Sequence, residues 1–253
     1  MDKSRIKTFF ILLLLLVNAV FAGVYFHDLY SGAAAARADV SNIREAFANV
    51  GIEVKTEIPG DLRYSAVAVT YSRESEAAFA ERALGESTAE DKGGGITYYT
   101  GKNGNALFSP GGVFEINLNA ANPGSDSFEQ QASKLAKTIG LTISELSADG
   151  NSLSCAITRN GLQVFNQSLS FEFLPDGAVT ITGVCAVGTE QTAAASATFD
   201  AASAAMSFLH KIETDGVLCG EVMEIEQGYI FTDLEYKPAW RIVTDAGEFI
   251  ISG

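Results

Sequence analysis

Residues 127–187 constrain the fold more than any other part of the chain. Phe128, Ala132, Leu135 and Ile139 recur at helical spacing, Ser127 with Gln130 has the form of a capping box, and Gly140 stands where a helix takes its C-terminal glycine. The period then changes to two. Leu153, Cys155 and Ile157 alternate with polar residues, and Asn160-Gly161 supplies a two-residue hairpin turn. Phe165, Leu169, Phe171 and Phe173 then alternate with Asn166, Ser168, Ser170 and Glu172, and Pro175-Asp176-Gly177 turns the chain again into Val179, Ile181, Cys185 and Val187. A helix with one apolar stripe, followed by a meander with one apolar face, predicts a helix laid on an antiparallel sheet.

The same order recurs twice. Ser72–Leu84, closed by Gly85, precedes Ile96–Tyr99, a Lys102-Asn103-Gly104 turn, Ala106–Phe108 and Val113–Leu118. A stripe of Phe199, Ala202, Met206 and Leu209 precedes Val217–Glu226, Tyr229–Leu234, Trp240–Val243, an Asp245-Ala246-Gly247 turn and Phe249–Ile251. A further helix is predicted from Val40, Ile43, Phe47 and Val50, with Gly51 as its stop. The polar segments Glu86–Gly95 and Thr189–Thr198 read as soft spots between elements, with Gly93-Gly94-Gly95 as a linker. Helix-then-meander in succession predicts an α+β fold of repeated units with a PepSY-like or cystatin-like shape.

At the N-terminus, residues 9–26 form an 18-residue apolar run without charge, interrupted by Asn18. As a helix it would extend about 27 Å, close to the hydrocarbon thickness of a bilayer. Lys3, Arg5 and Lys7 precede it, which predicts a cytoplasmic leader over 1–8, a transmembrane signal anchor over 9–26 and everything beyond on the outer side. The alternative is a cleaved signal peptide ending at Val20-Phe21-Ala22. Asn18 is the candidate contact to another membrane helix, through an interhelical hydrogen bond. The exported part then divides into a first α+β region over 33–122 and C-terminal units over 123–253.

Charge excludes one function class and composition another. The chain has 17 Lys+Arg against 31 Asp+Glu, a net charge of −14, so it has no electrostatic hold on a nucleic-acid backbone. Residues 1–30 carry three basic and two acidic side chains, which leaves the remainder at −15. With 47% hydrophobic residues the chain is too apolar to be disordered.

Little in the sequence points to catalysis. Neither His27 nor His210 has a second ligand at metal spacing, and no nucleophile-elbow, zincin, phosphate-loop or dinucleotide pattern occurs. Cys155 and Cys185 share a face of the meander with one strand between them, about 9.6 Å apart, beyond the roughly 7 Å a disulfide spans. Together with Cys219 they read as small core residues. The acid groups Glu74, Glu76, Glu81 and Glu221, Glu224, Glu226 read as solvated faces. We therefore expect no enzyme, no metal and no cofactor.

Both ends of the chain carry a resemblance. MDKSRIKTFFILLLLLVNAVF is similar to the opening of the YycI branch of the YycH/YycI family, and Lys237-Pro238-Ala239-Trp240-Arg241-Ile242-Val243 is similar to that family's closing strand pair. Pro238, Trp240 and Arg241 are then its structural C-terminal motif. The resemblance implies a single-pass membrane protein that binds and modulates a WalK/YycG-like sensor histidine kinase in cell-wall homeostasis, together with a YycH-like bitopic partner. The family brings no catalytic residue. The alternative is an exported PepSY-like binding or protease-inhibitory module without a kinase.

Overall fold

A computed structural model describes residues 40–59, 66–119, 127–192 and 199–252. The chain forms two compact units, Met1–Val54 and Lys55–Gly253. In the first, helix α1 spans 40–49 and ends at Gly51, whose φ of +81° is the left-handed conformation that glycine adopts without steric cost. It buries Ile43 and Phe47, whereas Val50 is exposed, so the apolar stripe stops one turn earlier than its spacing suggests. The two-residue strand β1, Glu53–Val54, follows, and the Arg44 guanidinium donates to the Val54 carbonyl at 3.0 Å.

Among the described residues the second unit holds three α-helices, each capped by a side chain at the start and glycine at the end. In α2, Arg73–Leu84, the Ser72 hydroxyl accepts from the Ser75 N–H. In α3, Phe128–Ile139, the reciprocal Ser127–Gln130 box is formed and Gly140 is left-handed, as its sequence predicts. In α4, Ala201–Asp215, Asp200 caps Ser203. The α4 stripe is rotated from the expected one. Ala201, Ala204, Ala205, Phe208 and Ile212 are buried and Met206 is exposed, because small alanines let the helix lie close to the sheet while the long Met side chain is left outside.

The strands are β2 (Val67–Thr70), β3 (Ser87–Gly93), β4 (Ile96–Gly101), β5 (Gly104–Ser109), β6 (Val113–Leu118), β7 (Thr142–Asp149), β8 (Ser152–Arg159), β9 (Leu162–Phe173), β10 (Val179–Val184), β11 (Thr189–Thr192), β12 (Glu221–Thr232), β13 (Glu235–Thr244) and β14 (Gly247–Ser252). They run in the order β11-β2-β13-β12-β9-β10-β6-β5-β4-β3, with β14 on β13, β8 on β9 and β7 on β8.

This corrects the expected fold class. The meanders do not close into separate repeated units behind a membrane helix. Their edges pair with one another, β6 with β10 over six residues and β9 with β12, and give one continuous mixed sheet. An unpaired meander edge presents a row of free backbone groups, and pairing two edges satisfies both. Among the described residues no helix is long and apolar enough to cross a membrane. Residues 9–26, with Asn18, lie outside the described residues. The expected soft spot over Glu86–Gly95 is also corrected, since β3 pairs with β4 and Gly93, Gly94 and Gly95 turn the hairpin with positive φ. Six of its seven residues are exposed, so no apolar alternation announces it.

Strand β9 joins two cores. One edge pairs with β8; the other pairs with β10 through residues 169–173 and with β12 through a single parallel bridge, Val164 to Tyr229. Two residues further along, the Asn166 amide takes the place of a backbone unit. It donates to the Phe231 carbonyl at 2.6 Å and accepts from the Phe231 N–H at 2.8 Å. Leu169, Phe171 and Phe173 enter the large core with Phe79, Leu84, Phe108, Phe114 and Ile139. Val164 enters a smaller one with Val67, Val69, Tyr229 and Tyr236. Gly228 permits the crossing: a Cβ there would stand 2.5 Å from both the Gln163 carbonyl oxygen and the Phe165 ring. Gly228→Ala is expected to cost about 1–3 kcal/mol by overpacking, and Asn166→Ala about 1–2 kcal/mol by removing two partly exposed hydrogen bonds. Urea unfolding checks both, and unchanged midpoints would show that the two cores stand without this junction.

Candidate functional site

After β10 the chain crosses from one core to the other along Cys185–Gly188 before pairing as β11 with β2. The crossing is tight at both ends. The Cys185 N–H donates to the Gly112 carbonyl at 3.0 Å, and a Cβ on Gly188 would stand 2.5 Å from Val69 Cγ1. Cavities lie on either side of this strap.

The first, of about 270 Å³, is walled by Val69, Phe108, Ala186, Val187, Phe231 and Leu234, with Tyr71, Glu76, Ser109 and Cys185 as its polar side chains. Glu76 is the side chain that the sequence misplaces. Read as part of a solvated face, it lies on the inward stripe of α2 one turn before Phe79 and Ala80 and is 3% exposed. Its carboxylate is held by three donors: the Tyr71 hydroxyl on one oxygen, and the Tyr99 hydroxyl at 3.0 Å and Arg73 at 3.2 Å on the other. A buried carboxylate survives as an ion only with such partners. Burial first, and then the hydrogen bond to Glu76, raise both tyrosine hydroxyls above their ordinary pKa. Desolvation pushes the Cys185 thiol up to about 12, so this wall carries no thiolate.

On one side the cavity is bounded by the β12–β13 turn, through Phe231 and Leu234. Thr232 pairs with Glu235, which leaves Asp233 and Leu234 as a two-residue loop with φ of +54° and +60°. Positive φ at both positions is the type I′ requirement, ordinarily met by Asn or Asp followed by Gly. Leu234 meets it at a steric cost, is 55% exposed, and accepts from the Val69 N–H at 2.7 Å.

The second cavity, of about 470 Å³, is more polar and includes Arg82, Arg159, Glu190 and Tyr236 in its lining. Arg159 forms a two-pronged pair with Glu190 and lies over the Tyr236 ring, 4.5 Å from its centre. Arg82 lies over Phe79 and packs so closely on Gly140 that a Cβ there would approach its Nη1 to 2.1 Å.

The C-terminal motif divides its roles along β13. Pro238 falls where β2 has stopped pairing, at Tyr236, and β14 has not begun, at Ala239, a step at which that edge has no ladder for proline to interrupt. Trp240 is fully buried and its indole N–H donates to the Phe199 carbonyl at 3.1 Å, tying down the approach to α4. Arg241 faces outward among acids: 2.5 Å from Glu226, 3.7 Å from Glu224 and 3.9 Å from Glu248. Glu221 is drawn away to Lys55. His210 is exposed on α4, and Cys155, Cys185 and Cys219 are free thiols. The Glu76 cavity is lined from both cores, whereas Pro238, Trp240 and Arg241 are not among its lining residues.

Two pH dependences follow. Raised tyrosine pKa values mean that the folded state holds protons the unfolded chain would release, so stability is lost as pH rises above about 10. Glu76→Gln should bring the titration of Tyr71 and Tyr99 back toward the ordinary range, read by ultraviolet absorbance. An unmoved titration would separate Glu76 from both hydroxyls. At the other cluster, repulsion from Glu226 raises Glu224 even with Arg241 present, and a raised carboxyl gains stability on acidification. Arg241→Met is expected to destabilise at neutral pH and to recover partly toward pH 5; a loss equal at both pH values would exclude carboxylate repulsion as its cause.

No family model matches the chain, and none of the curated proteins does. Among solved structures the chain is similar to the Bacillus megaterium YpeB C-terminal domain, at 13% identity and a TM-score of 0.30, over 73% of this chain and 92% of that one.

Proposed function

We propose that the chain is a non-enzymatic accessory protein of the outer membrane face, addressed there by residues 9–26, that binds the extracytoplasmic part of a sensor histidine kinase. Its action is stoichiometric. Bound more tightly to one conformation of the kinase than to another, it shifts the balance between them, and a tenfold shift requires about 1.4 kcal/mol of differential affinity.

The observation that carries the non-enzymatic part is the state of the polar groups in the Glu76 cavity. The carboxylate is held in place by Tyr71, Tyr99 and Arg73, and burial keeps Cys185 a neutral thiol. Acid–base or nucleophilic catalysis needs a group left poised on a reacting atom. The kinase as partner, with a second bitopic protein beside it, is supported by the resemblance of the two ends to the YycH/YycI family. Affinity purification of the tagged full-length chain from solubilised membranes tests it. Recovery of a sensor kinase and a second single-pass protein is expected, along with altered kinase autophosphorylation when the purified chain is added back. Recovery of neither, or a kinase whose rate does not respond, overturns the reading and leaves an exported binding module.

A further inference from the structure

The Glu76 cavity has a size, a charge and a bounding turn, and each limits what it can hold. At about 270 Å³ it exceeds the roughly 150 Å³ of an apolar cavity that takes benzene, and falls short of the roughly 300 Å³ at which pockets for drug-sized ligands begin. One substituted ring fits that range. The six walls, Val69, Phe108, Ala186, Val187, Phe231 and Leu234, are apolar. The ionised side chain in the lining is Glu76, so a second anion brought beside it would meet like charge in a poorly hydrated wall. Of its two oxygens, Oε2 accepts the Tyr71 hydroxyl while Oε1 takes both Tyr99 and Arg73, so Oε2 has the spare acceptor capacity.

The β12–β13 turn adds an independent observation. Leucine is a poor residue for φ +60°, and a leucine 55% exposed leaves apolar surface in water. Glycine at position 234 would relieve the backbone and complete the favoured Asp-Gly turn. What the side chain does at this position is line the cavity.

We infer that this cavity binds a compact, uncharged aromatic molecule carrying one hydrogen-bond donor, of the phenol or indole class, with Glu76 accepting from the donor and Leu234 packed against the ring. This stands apart from the kinase reading: a chain that binds no kinase would still bind the ring, and the reverse.

The test is calorimetric titration of the purified full-length chain with p-cresol, toluene and benzoate, in the wild type and two variants. p-Cresol should bind saturably, toluene at least fivefold more weakly for want of a donor, and benzoate not at all. Ala186→Leu, which fills the cavity from the strap, should abolish p-cresol binding. Leu234→Gly should weaken it at least fivefold while the thermal midpoint holds or rises, a combination that a merely structural leucine would not give. Absence of saturable p-cresol binding, benzoate as tight as p-cresol, toluene equal to p-cresol, or binding indifferent to both substitutions would each overturn the assignment.

Discussion

The second unit depends on how β9 meets β12. The meander ladders of β6 with β10, β8 with β9 and β12 with β13 each run over more than five residue pairs, yet the two halves of the sheet are joined by one parallel bridge, Val164 to Tyr229, and by the amide of Asn166. A parallel ladder continued at this register would set residue 166 beside residue 231. The asparagine side chain makes that pair with its own carbonyl and N–H, while its backbone is free to turn toward β10. Gly228 supplies the missing volume. The junction therefore lets one strand serve two cores.

The same device recurs in β13, whose one edge is shared end to end by β2 and β14, with Pro238 at the gap. Long strands with two successive partners diverge where the partners part. The strap from Cys185 to Gly188 bridges that divergence, and the two cavities are the space left on either side of it. Cavity, strap and junction are thus one consequence of edge sharing, and the carboxylate of Glu76 is stable beside them because α2 brings it against Tyr71 and Tyr99.

What could be read from the sequence was local. Ser127 with Gln130, Gly140, and Asn160-Gly161 each act within four residues, and the structure has each as its chemistry dictates. Pairing of β6 with β10 and of β9 with β12 leaves no such mark, because an edge strand looks the same whichever partner it takes. Strand β3 has no apolar face to betray it, and its hairpin rests on backbone bonds and three glycines. For the site, Glu76 carried a signal: a carboxylate at the helical spacing of Phe79 and Ala80 interrupts an apolar stripe. The hydroxyls that hold it come from Tyr71 and from Tyr99, 23 residues away, and only the fold brings them together. Leu234 carried a signal too, as an Asp-Leu pair in a hairpin where Asp-Gly belongs. At α4 composition misled, since alanines mark the buried face and the larger Met206 lies outside.

The cysteines give the fold a chemical indifference. Burial pushes Cys155 up to about 11 and Cys185 up to about 12, Cys219 is raised as well, and no two are joined. Burial therefore disfavours the thiolate at Cys155 and Cys185, the form that attacks a disulfide or an oxidant. The structure holds no disulfide that a reducing surrounding could break. What holds its cores together is hydrogen bonding and packing, with no covalent cross-link among the three thiols.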